Sequence, residues 1–154
     1  MNRLSRLVLI AALMIAAAPA APAMAATPAP AAHQQATAQH KAVFDMTTGQ
    51  PAVWDATLRN LENLTAHYGQ ENVSFEVVGH GAGIGLMLKA NTAQAARMKA
   101  LAKQGVIFAA CNNTMKRKKI AKSELLPFVT VVPAGVAELI EKQEAGWAYI
   151  KAGH

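Results

Sequence analysis

Val106-Ile107-Phe108-Ala109-Ala110-Cys111-Asn112-Asn113-Thr114 is the stretch on which the fold turns. From Val106 to Ala110 every residue is apolar, with no alternation. A strand with one wetted face alternates apolar and polar side chains. An unbroken apolar run between turn residues is what a strand covered on both faces looks like, and such strands belong to parallel sheets flanked by helices.

The flanking sequence agrees. Gly105 closes a helical pattern in which Ala95, Met98, Leu101 and Ala102 share a face, with Asn91 as cap and Gln94 in capping-box position. Before it, Val73–Val78 reads as a strand running into the glycine-rich loop Gly79–Gly85, and Ile84 to Lys89 as a short helical turn. Earlier still, Lys41–Asp45 reads as a first strand, ended by the Thr48-Gly49 turn. Pro51 suits the first position of a helix, with Trp54, Leu58, Leu61, Leu64 and Tyr68 inward and Gly69 at its end. Beyond Thr114 comes a basic helical segment, then a strand over Phe128–Val132 stopped by Pro133. Gly135–Glu144 reads as a helix with Val136, Leu139 and Ile140 inward, and Trp147–Lys151 as a short fifth strand. Strands alternating with helices predict a three-layer α/β/α domain around a mostly parallel five-stranded sheet of flavodoxin-like type. The order of the strands stays open.

Residues 1–25 read as a signal peptide. Arg3 and Arg6 precede an apolar run from Leu7 to Ala18, shorter than the roughly 20 residues that span a bilayer. Pro19 and Pro22 break it, and Ala23-Met24-Ala25 offers a cleavage site before Ala26. Residues 26–39 are rich in Ala, Pro, Thr and Gln with no apolar face, the composition of a disordered leader. This leaves one domain over residues 40–154, periplasmic or secreted, with no membrane attachment after cleavage.

The full chain has 15 Lys and Arg against 9 Asp and Glu, a formal net charge of +6. Loss of Arg3 and Arg6 lowers that excess by two. Lys116, Arg117, Lys118, Lys119 and Lys122 cluster, but with little aromatic interleaving, so no nucleic-acid partner is expected. The single cysteine cannot form an internal disulfide. It is either a small packed hydrophobe or a free thiol with a use.

In open parallel sheets ligands bind beyond the carboxyl ends of the strands. That rule selects Asp45, the His80 loop, Cys111 with Asn112, Asn113 and Thr114, and Pro133 to Gly135. Cys111 is the candidate catalytic residue. It precedes a helix start, with Asn113 or Thr114 as cap, where N–H groups and the helix dipole favour a thiolate, and Lys116 to Lys119 would add positive potential. His80 is a candidate base or hydrogen-bond partner, although a histidine in such a loop is more often satisfied by backbone. The glycines at 79, 81, 83 and 85 do not have nucleotide-binding spacing and suit tight turns. Cys111, His80 and Met115 could hold a soft metal, but no paired ligand spacing supports it. Neither a metal nor a cofactor is expected.

The order of elements resembles the DsrE/DsrF-like proteins, small α/β proteins linked to sulfur relay. The resemblance spans Lys41 to Lys151. It is carried by Val77-Val78-Gly79-His80-Gly81, by Gly105 to Met115, by Leu125-Leu126-Pro127, and by Val131 to Ile140 leading into Gly146-Trp147-Ala148-Tyr149-Ile150-Lys151. The sulfur-carrying members use a cysteine at the end of the corresponding strand, which implies that Cys111 is a persulfide carrier between a donor and an acceptor protein. It also implies self-assembly, as a homotrimer or homohexamer. The relay members work in the cytoplasm, whereas this chain carries an export signal. Two functions follow: a sulfur-transfer protein, or a non-catalytic oligomeric module of the periplasm that binds a small ligand or a protein.

Overall fold

Pro51 opens the first helix because its missing N–H and fixed φ cost nothing in an initial turn, and the Trp54 indole N–H pins that turn by donating to the Thr48 carbonyl at 2.8 Å. Local rules of this kind set most elements. The computed structural model describes residues 40–153; the expected signal peptide (1–25) and leader (26–39) lie outside them. In chain order the elements are β1 (His40–Met46), α1 (Pro51–Tyr68), β2 (Val73–Gly79), a 3-10 run (Gly81–Met87), α2 (Thr92–Lys103), β3 (Ile107–Cys111), α3 (Asn112–Lys118), β4 (Thr130–Val132), α4 (Gly135–Glu144) and β5 (Ala148–Lys151). Among the described residues no helix is long and apolar enough to cross a membrane.

The sheet is parallel throughout, in the order β4-β3-β2-β1-β5. From β1 to β4 each strand is laid beside the last in one direction, so right-handed connections put α1, α2 and α3 on a single face. The step from β4 back to β5 runs the other way and carries α4 to the opposite face. Two cores result. Phe44, Met46, Phe75, Val77, Phe108 and Ala110 pack beneath Trp54, Leu58, Leu61, Met98, Leu101 and Met115. On the other face Val43, Val78 and Ala109 meet only Leu139 of α4, with Val132 and Trp147 at the margin. The β3 run is apolar on both sides because both faces are covered over Phe108–Cys111; Ile107, at its start, stays exposed.

The structure corrects several local expectations. Val136 and Ile140 do not point inward. They are 58% and 51% exposed, because a helix alone on its face buries a single line of side chains. The Asn91 capping box does not form; the Asn91 amide donates to the Leu86 carbonyl and the Gln94 amide to Asp55 across the α1–α2 contact. The helical turn expected over Ile84–Lys89 starts earlier, at Gly81, and β4 is confined to Thr130–Val132. Tyr68 ends α1 at the surface, stacked on His40 with ring centroids 3.8 Å apart.

One charge is buried between α4 and the sheet. Glu76 is 1% exposed and faces Lys142 Nζ at 2.5 Å; that ammonium also reaches Glu138 at 3.5 Å and lies over the Trp147 ring. Burial raises the Glu76 carboxyl above its ordinary pKa, opposed by Lys142. Removing one partner of a fully buried pair costs about 3–5 kcal/mol. The Lys142 side chain keeps 21% of its surface, so Lys142→Met should cost about 2 kcal/mol at pH 7. The deficit should shrink in acid, where a protonated Glu76 no longer needs the ammonium. Urea unfolding at pH 7 and pH 4 measures both.

Candidate active site at the carboxyl edge of the sheet

Adjacent strands β3 and β4 send their connections to opposite faces, α3 to one and α4 to the other. The place where the two connections part is a switch point, where open α/β sheets take ligands. Here it lies between Cys111 and the Pro133–Gly135 turn.

Cys111 is the last residue of β3 and also the N-cap of α3. The cap was expected one turn on, at Asn113 or Thr114; the helix starts earlier, so the thiol itself stands at its mouth. Cys111 is 5% exposed. Burial pushes its pKa up, but the nearby Thr114 hydroxyl and the N–H groups of Gly135, Thr114 and Asn113 draw it down, and the balance falls below the ordinary thiol value. Thr114 is itself buried, and its hydroxyl oxygen accepts the Gly81 N–H at 3.2 Å. That contact leaves the hydroxyl proton free to be donated to sulfur.

The lysines do not contribute as expected. Lys116, Arg117 and Lys118 occupy the last turn of α3 and are exposed, as is Lys119, which caps it in the left-handed conformation. The thiol is tuned by neutral donors. Of the two asparagines, Asn113 helps to lower the thiol pKa through its backbone N–H.

His80 follows directly on β2. Gly79 pairs with Ala110, so the register sets His80 beside Cys111 along the edge. Its N–H donates to the Met46 carbonyl at 3.1 Å. Its ring turns toward β1, where Nε2 meets Asp45 Oδ1 at 2.7 Å. The other carboxylate oxygen of Asp45 accepts the Tyr149 hydroxyl at 2.7 Å. That hydrogen bond also holds the Tyr149 phenol above its ordinary pKa, with burial and the Asp45 charge adding to it. Gly135 closes the group from above. A side chain there would begin 3.1 Å from His80 Cβ and 3.2 Å from Cys111 Cβ.

The loop glycines serve packing. Gly81 has φ +57, and a Cβ on Gly83 would stand 2.1 Å from the Met46 carbonyl oxygen. The 3-10 run can therefore lie against the end of β1, which holds His80 in place. Met115, weighed as a soft metal ligand, is buried in the larger core, and among the described residues no three His, Cys, Asp or Glu side chains converge on a metal position. A cleft of about 350 Å³ at the opposite, amino edge of the sheet, lined by His40, Lys41, Tyr68 and Ile150 among others, is remote from Cys111.

Asp45, His80, Cys111 and Thr114 were each legible as edge residues. Tyr149 was missed as a site residue. It sits on the strand added last in sequence but placed next to the first, and nothing local signals that β5 flanks β1.

The solved structure of a protein of unknown function from Methanobacterium thermoautotrophicum is similar to this chain, with a TM-score of 0.69 and 29% identity over 73% of this chain and 98% of that one. No curated protein matches. Residues 41–152 match the model of the DsrE/DsrF-like family. That match runs nearly from end to end of the described domain, and the chain therefore belongs to the DsrE/DsrF-like family.

Proposed function

We propose that this protein is a sulfur carrier that holds a sulfane sulfur on Cys111. One observation supports the reading above the rest: a buried thiol beside the Thr114 hydroxyl and three backbone N–H groups, which together hold its pKa below the ordinary value in spite of its burial. Those donors stabilise a thiolate, the nucleophile of sulfur transfer. In loading, the Cys111 thiolate attacks the terminal sulfur of a donor persulfide. The new S–S bond forms as the donor's bond breaks, and the donor leaves as a thiolate. In unloading the same donors favour Cys111 as the leaving group.

The carrier works outside the inner membrane as an assembly of identical chains, a homotrimer or homohexamer, with a donor and an acceptor protein. Support for assembly comes from the thinly covered face, where Val136, Ile140, Tyr149 and Ile107 remain exposed. Light scattering should give a multiple of the chain mass, and Val136→Glu with Ile140→Glu should shift it toward monomer.

The other reading, a non-catalytic periplasmic binding module, is favoured by the low exposure of Cys111. Intact-mass analysis of protein from a periplasmic fraction, prepared without reductant, separates the two. The carrier predicts a chain starting at Ala26 and a population one sulfur atom heavier that reductant removes. A thiol that never takes up sulfur from any persulfide donor, in the cell or in vitro, leaves the binding module.

A further inference from the structure

We propose that His80, held by Asp45 and Tyr149, is the base that deprotonates an acceptor thiol arriving at Cys111; this rests on the sulfur-carrier reading above. The carrier site itself gives the sulfur neutral donors and no proton acceptor, yet unloading needs one. A thiol attacks only as its thiolate, and at neutral pH an ordinary thiol is mostly protonated.

The cluster is built for that task. An ionised carboxylate can only accept hydrogen bonds, so Asp45 Oδ1 at 2.7 Å places the imidazole proton on Nε2. The other nitrogen, Nδ1, keeps its lone pair. Tyr149 donates to the second oxygen of Asp45 at 2.7 Å and holds the carboxylate in this orientation. Asp45 and Tyr149 are thus positioning residues, while His80 meets the substrate. Cγ of His80, the ring atom that carries Nδ1, lies 3.3 Å from where a side chain on Gly135 would begin, and Cys111 Cβ lies 3.2 Å from the same point. There is little room for a side chain on Gly135, so His80 and Cys111 pack side by side against the same glycine. The His80 side chain is 20% exposed, so a thiol can reach it from solvent.

The step balances without an outside oxidant or reductant. Nδ1 takes the proton of the acceptor thiol, R–SH, giving R–S⁻ and an imidazolium that Asp45 stabilises. R–S⁻ attacks the terminal sulfur of Cys111–S–SH. The acceptor–sulfur bond forms, the Cys111 S–S bond breaks, and the products are R–S–SH and the Cys111 thiolate in its cradle. The imidazolium then releases its proton to solvent. The titratable and charged groups near His80 are Asp45 on β1, Tyr149 and Lys151 on β5 and Cys111 on β3. From α4, Glu138 and Lys142 engage Glu76 further down the same face.

The test loads the mature protein with inorganic polysulfide and follows single-turnover transfer to N-acetylcysteine from pH 5.5 to 9.5 by mass. The wild-type rate should fall less toward low pH than the acceptor's own thiolate fraction does, because the base supplies the thiolate. His80→Gln should transfer about 100-fold more slowly at pH 7. The gap should close toward pH ~9, where the acceptor ionises unaided. A purely structural loss would instead lower the rate by the same factor at every pH, and that result, or no loss at all, overturns the proposal. Asp45→Asn keeps the imidazole but removes the carboxylate that orients it, so transfer at pH 7 should slow and the loss should close toward pH ~9 as for His80→Gln; no loss at pH 7 overturns the positioning role and serves if His80→Gln does not fold. Failure of the wild type to take up sulfur at all would instead overturn the carrier reading.

Discussion

Alkylation of Cys111 in the folded protein should reach half its limiting rate below pH ~8.5, the midpoint of an unperturbed thiol, and Thr114→Val should move that midpoint upward. The hydroxyl is the first of the groups that offset burial of the sulfur. A hydrogen bond to a charged group is worth roughly 1.5–3 kcal/mol, so the variant should hold at least about tenfold less thiolate at pH 7. Thr114→Ser restores the hydroxyl and should recover most of the loss. The pair Lys116→Glu/Lys118→Glu should leave the midpoint nearly unchanged, because those lysines lie at the exposed end of α3. Cys111→Ser should abolish sulfur loading with little effect on folding. The lowered pKa also predicts the sign of a stability trend. Its contribution is fully present above the unfolded thiol value and is lost as pH falls through the folded one, so wild-type stability should rise across that window while Thr114→Val is flatter. A thiol that reacts only after unfolding would mark Cys111 as packing.

Gly83→Ala should be the most destabilising single methyl addition near the site. The new Cβ would stand 2.1 Å from the Met46 carbonyl oxygen and 2.5 Å from its carbon, both backbone atoms at the buried end of β1. No rotamer change relieves such a contact, so the 3-10 run or the strand must shift, and about 3 kcal/mol or more is expected. The same shift would break the Gly83 N–H bond to the Thr47 carbonyl and loosen the His80 N–H bond to Met46. The variant should therefore lose stability in urea unfolding and sulfur transfer together. Gly105→Ala makes a useful control. Its cost is backbone alone, since φ is +97 and nothing lies within 4 Å of the new carbon.

Much of the fold was legible because its determinants are local. The apolar run before Cys111, Pro51 at a helix start, Gly69 and Gly105 after helix ends, and the spacing of Trp54, Leu58 and Leu61 all act within a few residues. Parallel pairing follows from short strands joined by helices, and the carboxyl-edge rule then selects Asp45, His80 and Cys111 from chain direction alone. The errors have a common source. Val136 and Ile140 carry a helical apolar period but lie on a face with no second helix to cover them. Gln94 has capping-box spacing but finds Asp55, which is distant in sequence, a competing partner.

By itself the sequence determined the class of fold, the strand that bears the thiol and the end of the sheet where chemistry belongs, because periodicity, turn residues and chain direction are properties of neighbours along the chain. Tertiary structure alone decided what surrounds the sulfur. Gly135 reaches it through the β4 connection, Thr114 is oriented by Gly81, and Tyr149 meets Asp45 because β5 crosses the whole sheet to pair with β1. Those contacts depend on strand order, and strand order is set by which faces bury the most apolar surface once all the elements compete. No stretch of neighbours records that outcome.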